Sequence, residues 1–508
     1  MADAPTPARD AKKRPSWRQR LLLVALGIAL PVLLLALVEL ALTLFGVGDD
    51  HRYDDPFVGF SPGSDLFALR RPADGPAVYA TNPEKLTFFN EQRFAAEKPE
   101  DGYRIFSLGG STTAGRPYDD RVAFARWLGL YLDAADPSRE WESVNAGAIS
   151  YASYRVVVLM RELVRYEPDL FVVYTGHNEF LEERSYEDIL DQPPAVRRVR
   201  SWLSGFRFAS LVRSWTAPEP EAEAGDGEAP KTLAPEVVAK LDGWTGLDRY
   251  ERDDELTRSV LEHFEFNLRQ MVRIARDHGA AIVFVEPVSN LADFSPFKSE
   301  HTVGLTAADR ARAEELLAAG RERLEAGDAA AATGLFAEAL AFDPRHAELH
   351  YRHGQALLAA GDGEAAYAAF VRAKDEDVAP LRALEPVVAA VRRVAAEEGV
   401  PLVPLRDELE AENRRRFGHP ALGDAYLLDH VHPDVPVHSL VAERVLDLMV
   451  EEGTVEPAAG WGEERRAEIY QAELAGFDRE YYARRDLNLS KVLGWAGKLE
   501  EAEKPLRR

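Results

Sequence analysis

Two short motifs carry side chains that can act together in acyl chemistry. Ser111 follows two glycines in the stretch Gly109 to Gly115, directly after the apolar run Tyr103 to Leu108. Asp429 and His432 are three residues apart, so the carboxylate can accept a hydrogen bond from imidazole Nδ1–H and leave Nε2 to take a serine proton. The pattern favours a serine nucleophile served by an imidazole base, although a Gly-Gly-Ser-Thr turn also suits a phosphate cradle or a helix cap.

Groups that can stabilise a developing oxyanion follow two further apolar runs. Gly147 closes one of them, and Gly176-His-Asn178 closes the other. The Gly147 N–H, the Asn178 side-chain amide and the Ser111 N–H would all point at one carbonyl oxygen if the three runs are parallel strands that end at one edge of a sheet. Alone, Gly-His-Asn is equally typical of a turn with an Asx hydrogen bond.

Histidines elsewhere allow a competing metal-site interpretation. His430 and His432, together with Asp429 and Asp434, have the side-chain types that bind a divalent metal ion. No third cluster of matching character follows a strand candidate, so no metal and no other cofactor is predicted. A further group shares helical spacing inside a repeat helix and is interpreted as structural or exposed: His346, His350 and His353.

A second serine lies in a better-known pattern. Gly59-Phe-Ser61-Pro-Gly63 matches the G-x-S-x-G nucleophile elbow. No strand candidate precedes it, and Pro62 lacks the N–H that the residue after the nucleophile supplies to an oxyanion hole. Ser111 is therefore a better candidate for a nucleophile than Ser61.

The elements that position these groups alternate strands with helices from residue 103 onward. The strand candidates are Tyr103 to Leu108, Glu142 to Asn145, Asp169 to Thr175, Ala280 to Glu286 and Val400 to Leu405. The helix candidates, with apolar residues every three to four positions, are Val122 to Leu132, Arg155 to Arg165, Asp254 to Arg276 and Ser439 to Met449. Because helices connect the strands, we predict an α/β fold with a five-stranded parallel sheet of flavodoxin-like type, covered on both faces.

An internal repeat interrupts this pattern before the last strand. Its positions are Gly320, Leu324, Gly327-Asp328, Ala332, Phe336 and Ala339, which recur 34 residues later as Gly354, Leu358, Gly361-Asp362, Ala366, Phe370 and Ala373. Thirty-four residues is the period of tetratricopeptide (TPR) repeats, and the residue types also resemble that family. A truncated third copy at Leu493, Gly497-Lys498, Ala502 and Leu506 is expected to dock on the inserted pair or on another protein.

Residues 181 to 250 form another interruption. An arginine- and aromatic-rich piece is expected to be a lid on the catalytic layer or a helix on a membrane surface. The acidic Pro/Ala/Gly tract 217–230 that follows it is predicted to be a disordered loop.

Charge and composition limit the possible partners. The chain of 508 residues has a formal net charge of -25, which argues against a nucleic-acid partner. It contains no cysteine, so cysteine nucleophiles, disulfides and thiolate metal sites are excluded. Five basic residues between Lys12 and Arg20 precede the apolar stretch Leu21 to Phe45, which is long enough to span a bilayer. We predict an uncleaved single-pass anchor, with the remainder exported to the periplasmic or extracellular side.

Taken in chain order, the four strand-end motifs resemble the SGNH (GDSL-like) hydrolases. Ser111 matches the first block, with Gly-Gly-Ser in place of the usual Gly-Asp-Ser; Gly147 matches the second, Gly176-x-Asn178 the third and Asp429-x-x-His432 the last. The resemblance implies a three-layer α/β/α sandwich, a metal-independent esterase, Ser111 as nucleophile, His432 as base, Asp429 as its orienter, and an oxyanion hole of Ser111, Gly147 and Asn178.

The expected protein is thus a membrane-anchored serine esterase acting on O-acyl groups, acetyl above all, of a carbohydrate or lipid, with repeats that bind a protein partner. Two alternatives remain, an O-acetyltransferase acting on a cell-envelope polysaccharide and a non-catalytic scaffold. The expected segments are a basic N-terminus at 1–20, a transmembrane helix at 21–46, hydrolase parts at 101–305 and 380–450, TPR repeats at 307–376 and C-terminal helices at 460–508.

Overall fold

A computed structural model describes residues 17–44, 55, 57–60, 63–73, 75–184, 186, 206–208, 232–242 and 246–506. The chain divides into one unit of residues 1–56 and 191–223 and a second, larger unit of residues 57–190 and 224–508. The acidic tract 217–230, Ser61 and most of the arginine-rich piece lie outside the described residues.

Among the described residues the strands are short and lie mostly before residue 290. They are β1 Gly59–Phe60, β2 Phe67–Arg70, β3 Val78–Thr81, β4 Arg93–Ala95, β5 Gly102–Gly109, β6 Glu140–Gly147, β7 Leu170–Tyr174, β8 Thr232–Leu233, β9 Ala281–Val285 and β10 Leu402–Val403. The α-helices are α1 Trp17–Leu44, α2 Ser111–Ala114, α3 Phe124–Ala135, α4 Ser153–Leu163, α5 Asp254–Asp277, α6 Ala307–Glu325, α7 Ala329–Leu340, α8 Ala347–Ala359, α9 Gly363–Asp375, α10 Glu385–Glu398, α11 Leu405–Phe417, α12 Val435–Glu451, α13 Glu463–Leu474, α14 Arg479–Trp495 and α15 Leu499–Leu506.

The central sheet contains five parallel strands in the order β10-β9-β7-β5-β6. In chain order, β5 is the first strand of this sheet. Strand β6 pairs with one side of β5, and β7, β9 and β10 follow in turn on the other side. The direction of winding reverses next to β5, and such a reversal opens a crevice beyond the carboxyl ends of the strands. The predicted five-stranded parallel sheet is confirmed, and Ser111 follows the strand at which the reversal occurs.

Helices cover the sheet on both faces. Ile105, Val172 and Val283 point to one face and share a buried cluster with α3 and α12. Alternate residues of the same strands, Phe106 and Phe171 among them, are also fully buried and face the opposite way, towards the layer of α4, α5 and α10. Both faces of each strand are apolar because both are covered, which gives an α/β sandwich.

The last predicted strand is shorter than expected. We predicted it over Val400 to Leu405, but only Leu402 and Val403 pair with β9. Proline lacks the backbone N–H that a ladder needs, so Pro401 and Pro404 limit the strand at either end. Pro401 still contributes its carbonyl, which accepts the Phe284 N–H at 3.0 Å.

A small antiparallel sheet of β2, β3 and β4 was not predicted. Phe67 and Phe94 project from it and pack edge-to-face at 4.9 Å, beside Phe106 of the central sheet. Arg104, which is almost fully buried, donates to the Ala95 carbonyl at 2.8 Å and to the Glu142 carboxylate at 2.7 Å. These contacts fasten the small sheet against the start of β5.

The 34-residue repeat corresponds to two antiparallel helix pairs, α6 with α7 and α8 with α9. Gly320 and Gly354 occupy equivalent places where the two helices of each pair approach. A Cβ atom at Gly320 would lie 2.4 Å from the Phe336 ring, and one at Gly354 would lie 2.8 Å from the Phe370 ring. In each pair the repeated Gly and the repeated Phe therefore pack against each other.

Because of this contact, alanine should have opposite effects on stability at two glycines of the first helix pair. Gly320→Ala forces the Phe336 ring to move and is expected to destabilise the pair by about 1 to 3 kcal/mol. Gly334→Ala is the matched control: it lies in helix α7 with nothing within 4 Å of a new Cβ, so it should stabilise by about 1 kcal/mol. Hydrogen exchange over 307–340 should become faster in the first variant and slower in the second, and slower exchange in both would contradict the packing.

The smaller unit contains α1, which is long and apolar enough to cross a membrane. Its most apolar window is Ala25–Leu42, with a mean hydropathy of 2.5. Glu39, near the end of the helix, accepts the backbone N–H groups of Arg207 and Phe208 at 2.7 and 3.0 Å. A helix of this kind suits either a membrane anchor or a signal sequence.

Candidate active site

The turn after β5 brings Ser111 to the carboxyl edge of the sheet. Gly109 has a φ of +151°, which L side chains rarely adopt, and a Cβ there would lie 1.9 Å from the Tyr174 carbonyl oxygen. A Cβ at Gly110 would lie 2.4 Å from the Asn178 side-chain nitrogen. Both glycines are therefore needed for Ser111 to begin helix α2 this close to β7.

The structure places Ser111, His432 and Asp429 in one chain of hydrogen bonds. Ser111 Oγ lies 2.8 Å from His432 Nε2, and His432 Nδ1 lies 2.6 Å from Asp429 Oδ2. The other carboxylate oxygen of Asp429 accepts the backbone N–H groups of Val431 and His432, both at 2.9 Å. The three-residue spacing thus forms a closed turn that fixes the carboxylate against its own imidazole.

The environment of Asp429 keeps its carboxyl group ionised. Burial alone would raise its pKa, but the neighbouring His432 and His430 and the hydrogen bonds from the turn hold the pKa well below the usual range for aspartate. Asp429 is therefore a carboxylate at neutral pH and accepts, rather than donates, the bond to His432.

Other histidines near the site are not bases of the same kind. Burial lowers the pKa of His177, His430 and His438 to about 3 each, so all three are neutral at pH 7. His177 Nδ1 accepts the Ala383 N–H at 3.2 Å, and His430 packs against Phe294 and Phe297. The histidine bonded to Ser111 is His432.

The metal-site interpretation of this turn fits the geometry poorly. Asp434 is engaged with other groups: it caps helix α12 and accepts the Tyr118 hydroxyl. Within the part of the chain that the structure describes, the histidine and carboxylate atoms close enough to share an ion are elsewhere, at His301, Asp343 and His346. Asp343 there already accepts from His301 Nδ1 at 2.7 Å and from the Thr302 N–H at 2.8 Å.

The predicted oxyanion donors differ in their placement. Asn178 lines the cleft in front of Ser111, and its amide nitrogen donates to the Tyr151 carbonyl at 3.0 Å. The Gly147 N–H, however, donates to Asn145 Oδ1 at 3.0 Å. A Cβ at Gly147 would lie 2.6 Å from the Ala114 nitrogen, so this glycine allows helix α2 to pack on β6.

Sequence reasoning missed Ser150, three residues beyond Gly147. It lines the same cleft as Ser111 and Asn178, and its φ of +63° is unusual for a residue with a side chain. The left-handed backbone turns the loop after β6 towards the site. No signal in the sequence marks this position, because left-handed positions are usually recognised by glycine.

A cleft of about 470 Å³ opens over Ser111 and His432. Much of its lining is apolar, with Phe88, Ile149 and Leu381 among the contributors, and a small set of polar groups surrounds Ser111. An apolar wall with a few converging polar groups is the usual construction of a small-molecule site.

The C-terminal helix α14 forms one wall of this cleft, which the sequence did not indicate. Asn488 and Trp495 both line it. The helix is held beside Ser111 because Tyr481 donates to Asp119 at 2.9 Å and Asn488 donates to the Pro117 carbonyl at 3.0 Å. At its end, Lys498 donates to the Pro296 carbonyl at 2.7 Å. Of these three residues Lys498 belongs to the predicted third copy, and its bond is with the hydrolase part.

Comparison with models of known families and with curated proteins finds no match. Solved structures similar to the chain include a catalytic mutant of an acetylxylan esterase from Geobacillus stearothermophilus, at 13% identity over 69% of this chain and 95% of that one, with a TM-score of 0.28. A GDSL-like lipase from Bacteroides thetaiotaomicron is similar at 10% identity over 71% of this chain and 93% of that one, with a TM-score of 0.29.

Proposed function

We propose that the chain is a serine esterase of SGNH type that hydrolyses O-acyl esters, acetyl esters among them, of a carbohydrate or lipid. The observation that carries the proposal is the hydrogen-bond chain from Ser111 through His432 to Asp429, which opens into the cleft. A hydroxyl, an imidazole and a buried carboxylate in this geometry are the components of a nucleophilic acyl-transfer site.

The reaction follows from the positions of the three side chains. Ser111 Oγ attacks the ester carbonyl carbon while its proton passes to His432 Nε2, which forms an anionic tetrahedral intermediate. The C–O bond to the alcohol then breaks, and the alcohol leaves with the proton from Nε2. Water, deprotonated by the same nitrogen, attacks the acyl-serine, the bond between the acyl carbon and Ser111 Oγ breaks, Oγ takes the proton back from Nε2, and the carboxylic acid leaves. Asp429 keeps its negative charge throughout and stabilises the imidazolium.

For the oxyanion we propose the Ser111 N–H and the Asn178 side-chain amide, with the Ser150 N–H in place of Gly147. Ser111 begins helix α2, where backbone N–H groups lack partners within the helix. Ser150 lines the cleft, whereas the Gly147 N–H is already bonded to Asn145. Donors fixed in place before the reaction stabilise developing charge without reorganisation.

The oxyanion assignment is tested with two variants. Asn178→Ala removes a donor and should lower kcat by about 10²- to 10³-fold. Ser150→Gly keeps the backbone N–H and the positive φ, so its kcat should stay near that of the unaltered protein. Steady-state kinetics on p-nitrophenyl acetate measures both. A large loss in Ser150→Gly would mean that the hydroxyl, not the backbone, is needed.

The esterase proposal itself is tested with the full chain in detergent. A fluorophosphonate probe should label Ser111, as mapped by peptide mass spectrometry, and the protein should hydrolyse p-nitrophenyl acetate. No labelling together with no hydrolysis would overturn the proposal and favour a scaffold. Product analysis with and without a sugar acceptor separates hydrolysis from acyl transfer to a hydroxyl, since both proceed through the same acyl-serine.

We also propose that α1 anchors the protein in a membrane with the sheet domain exported, and that helices α6 to α9 are TPR-type repeats that bind a protein partner. The basic residues before α1 and its apolar length support the first part. The 34-residue period and the Gly–Phe packing support the second. Protease protection in sealed vesicles tests the orientation: cleavage of the sheet domain from the cytoplasmic side would contradict it.

A further inference from the structure

Two cationic side chains line the cleft beside Ser111. Arg116 lies five residues after Ser111, and its backbone N–H donates to the Ser111 carbonyl at 3.0 Å. Lys491 lines the same cleft from helix α14. Neither residue takes part in the proposed acyl transfer, so the positive charge at this place needs a separate explanation.

Neither cation has a directly bonded partner among the residues that the structure describes. The Arg116 Nε is buried without an acceptor, and no ion pair or hydrogen bond is made by either side-chain cation there. The two carboxylates that follow Arg116 are near enough to raise its pKa, but their bonds are with other groups: Asp119 pairs with Arg121 at 3.1 Å, and Asp120 accepts from Asn145 at 2.7 Å.

The acidic group within the cleft is also satisfied. Asp242 accepts the Ala239 N–H at 2.9 Å and the Trp495 indole N–H at 3.0 Å, one on each oxygen. Of the charged groups on the cleft wall, Arg116 and Lys491 therefore remain without a bonded partner in the described part of the chain.

Arg116 is half-buried, and a cation there without a bonded partner is unfavourable unless a ligand supplies one, whereas Lys491 is exposed and is also stabilised by solvent. Burial lowers the pKa of Arg116, which shows that its charged form is partly desolvated. Arginine still carries its charge at neutral pH, and its planar donors match the two oxygens of a carboxylate or phosphate. The chain has a net charge of -25, so a cationic pair at the reaction centre is a local exception to its overall charge.

We propose that Arg116 and Lys491 form an anion subsite that binds a carboxylate or phosphate carried by the ester substrate itself. This inference rests on the proposed esterase function and narrows its substrate to acidic esters. The anion would bridge Arg116, on the turn that carries the nucleophile, and Lys491, on the C-terminal helix. Substrate binding would then also hold α14 against the cleft.

Esters of similar size that differ in charge test the subsite. For an anion on the alcohol side, 4-acetoxybenzoate and 4-acetoxyphenyl phosphate are compared with neutral 4-acetoxybenzamide. For an anion on the acyl side, p-nitrophenyl hydrogen adipate is compared with p-nitrophenyl hexanoate. After correction for alkaline hydrolysis rates, kcat/KM should favour the anionic member of at least one set by about 10-fold or more, as expected for charge-assisted hydrogen bonds.

In the double variant Arg116→Gln with Lys491→Gln, kcat/KM for the anionic ester should fall close to kcat/KM for the neutral ester. Arg121→Gln is the matched control, because Arg121 already pairs with Asp119 and does not line the cleft. It should leave the preference for the anionic ester unchanged. Circular dichroism and fluorophosphonate labelling of Ser111 confirm that the variants are folded.

Two results would overturn the subsite while leaving the esterase intact: neutral and anionic esters hydrolysed alike by the unaltered protein, or a preference that survives in the double variant. Absence of hydrolysis for every ester, with no labelling of Ser111, would instead overturn the proposed function on which the subsite rests.

Discussion

Replacing Ser111 by alanine is expected to lower kcat/KM for p-nitrophenyl acetate by about 10⁴- to 10⁶-fold. The hydroxyl supplies the atom that bonds to the substrate, and neither His432 nor Asn178 can replace it. Without the hydroxyl no acyl-enzyme can form. Direct hydrolysis by water would then be assisted only by substrate binding and oxyanion stabilisation. Fluorophosphonate labelling should disappear together with the activity.

Two other serines serve as controls for this variant. Ser107 lies on the same strand, is fully buried, and its hydroxyl has no hydrogen-bond partner. Ser107→Ala should therefore keep both fold and activity. Ser61→Ala removes the serine of the competing G-x-S-x-G pattern and should also remain active. Full activity in Ser111→Ala, or loss in Ser61→Ala, would contradict the assignment of the nucleophile.

The Ser111 variant should keep its structure. Ser111 lies at the start of helix α2 and lines the cleft. The turn that positions it depends on Gly109 and Gly110. The His432–Asp429 bond and the two backbone bonds to Asp429 do not involve Ser111. Thermal unfolding should therefore change little, which separates loss of chemistry from loss of folding.

The relative positions of Ser111, Asp429 and His432 could be anticipated from the sequence. Each follows or precedes an element with clear hydrophobic periodicity, and parallel strands place their carboxyl ends at one edge. The Asp429-x-x-His432 contact is local, because three residues form a closed turn around one carboxylate. Local geometry combined with sheet topology was sufficient for this part of the site.

The remaining features depend on contacts between distant residues or on backbone conformation. Gly147 was predicted as an oxyanion donor because it closes β6, but Asn145, two residues away, already accepts its N–H. Ser150 adopts a left-handed backbone conformation that its residue type does not predict. Lys491 and Trp495 reach the cleft through contacts between α14 and the turn after α2, more than 350 positions away in the sequence.

The short strands of the small sheet could not be predicted for a different reason. Strands β2, β3 and β4 have three or four residues each, too few for a periodic pattern to be recognised. Their stability comes from aromatic packing of Phe67 and Phe94 on the central sheet and from the Arg104 bond to Ala95. Such long-range contacts override weak local preference.

Replacing Asp429 by asparagine is expected to lower kcat/KM by about 10³- to 10⁴-fold. The carboxylate accepts from His432 Nδ1 at 2.6 Å, which places the ring proton on Nδ1 and leaves Nε2 free to receive the Ser111 proton. An asparagine amide can donate to Nδ1 instead. The ring proton would then lie on Nε2 and point at Ser111, so the imidazole could no longer act as a base.

Asp434→Asn is the matched control for this variant. Asp434 lies on the same segment but caps helix α12 and accepts from Tyr118, outside the hydrogen-bond chain of Ser111. Asparagine caps a helix about as well as aspartate and keeps a side-chain oxygen that can accept from Val435 and Tyr118, so both stability and activity should change little. Equal activity loss in the two variants would mean that activity does not depend specifically on the Asp429 carboxylate.

The pH dependence of stability tests whether Asp429 stabilises the fold through its negative charge. Its pKa is held below that of an unfolded aspartate, so its contribution to stability is present at neutral pH and is lost as the pH falls through the lowered folded-state pKa. The stability difference between the unaltered protein and Asp429→Asn should therefore be largest near pH 7 and shrink below about pH 4. Chemical denaturation across this range measures it. A difference that is independent of pH would show that the carboxylate charge is not what the turn stabilises.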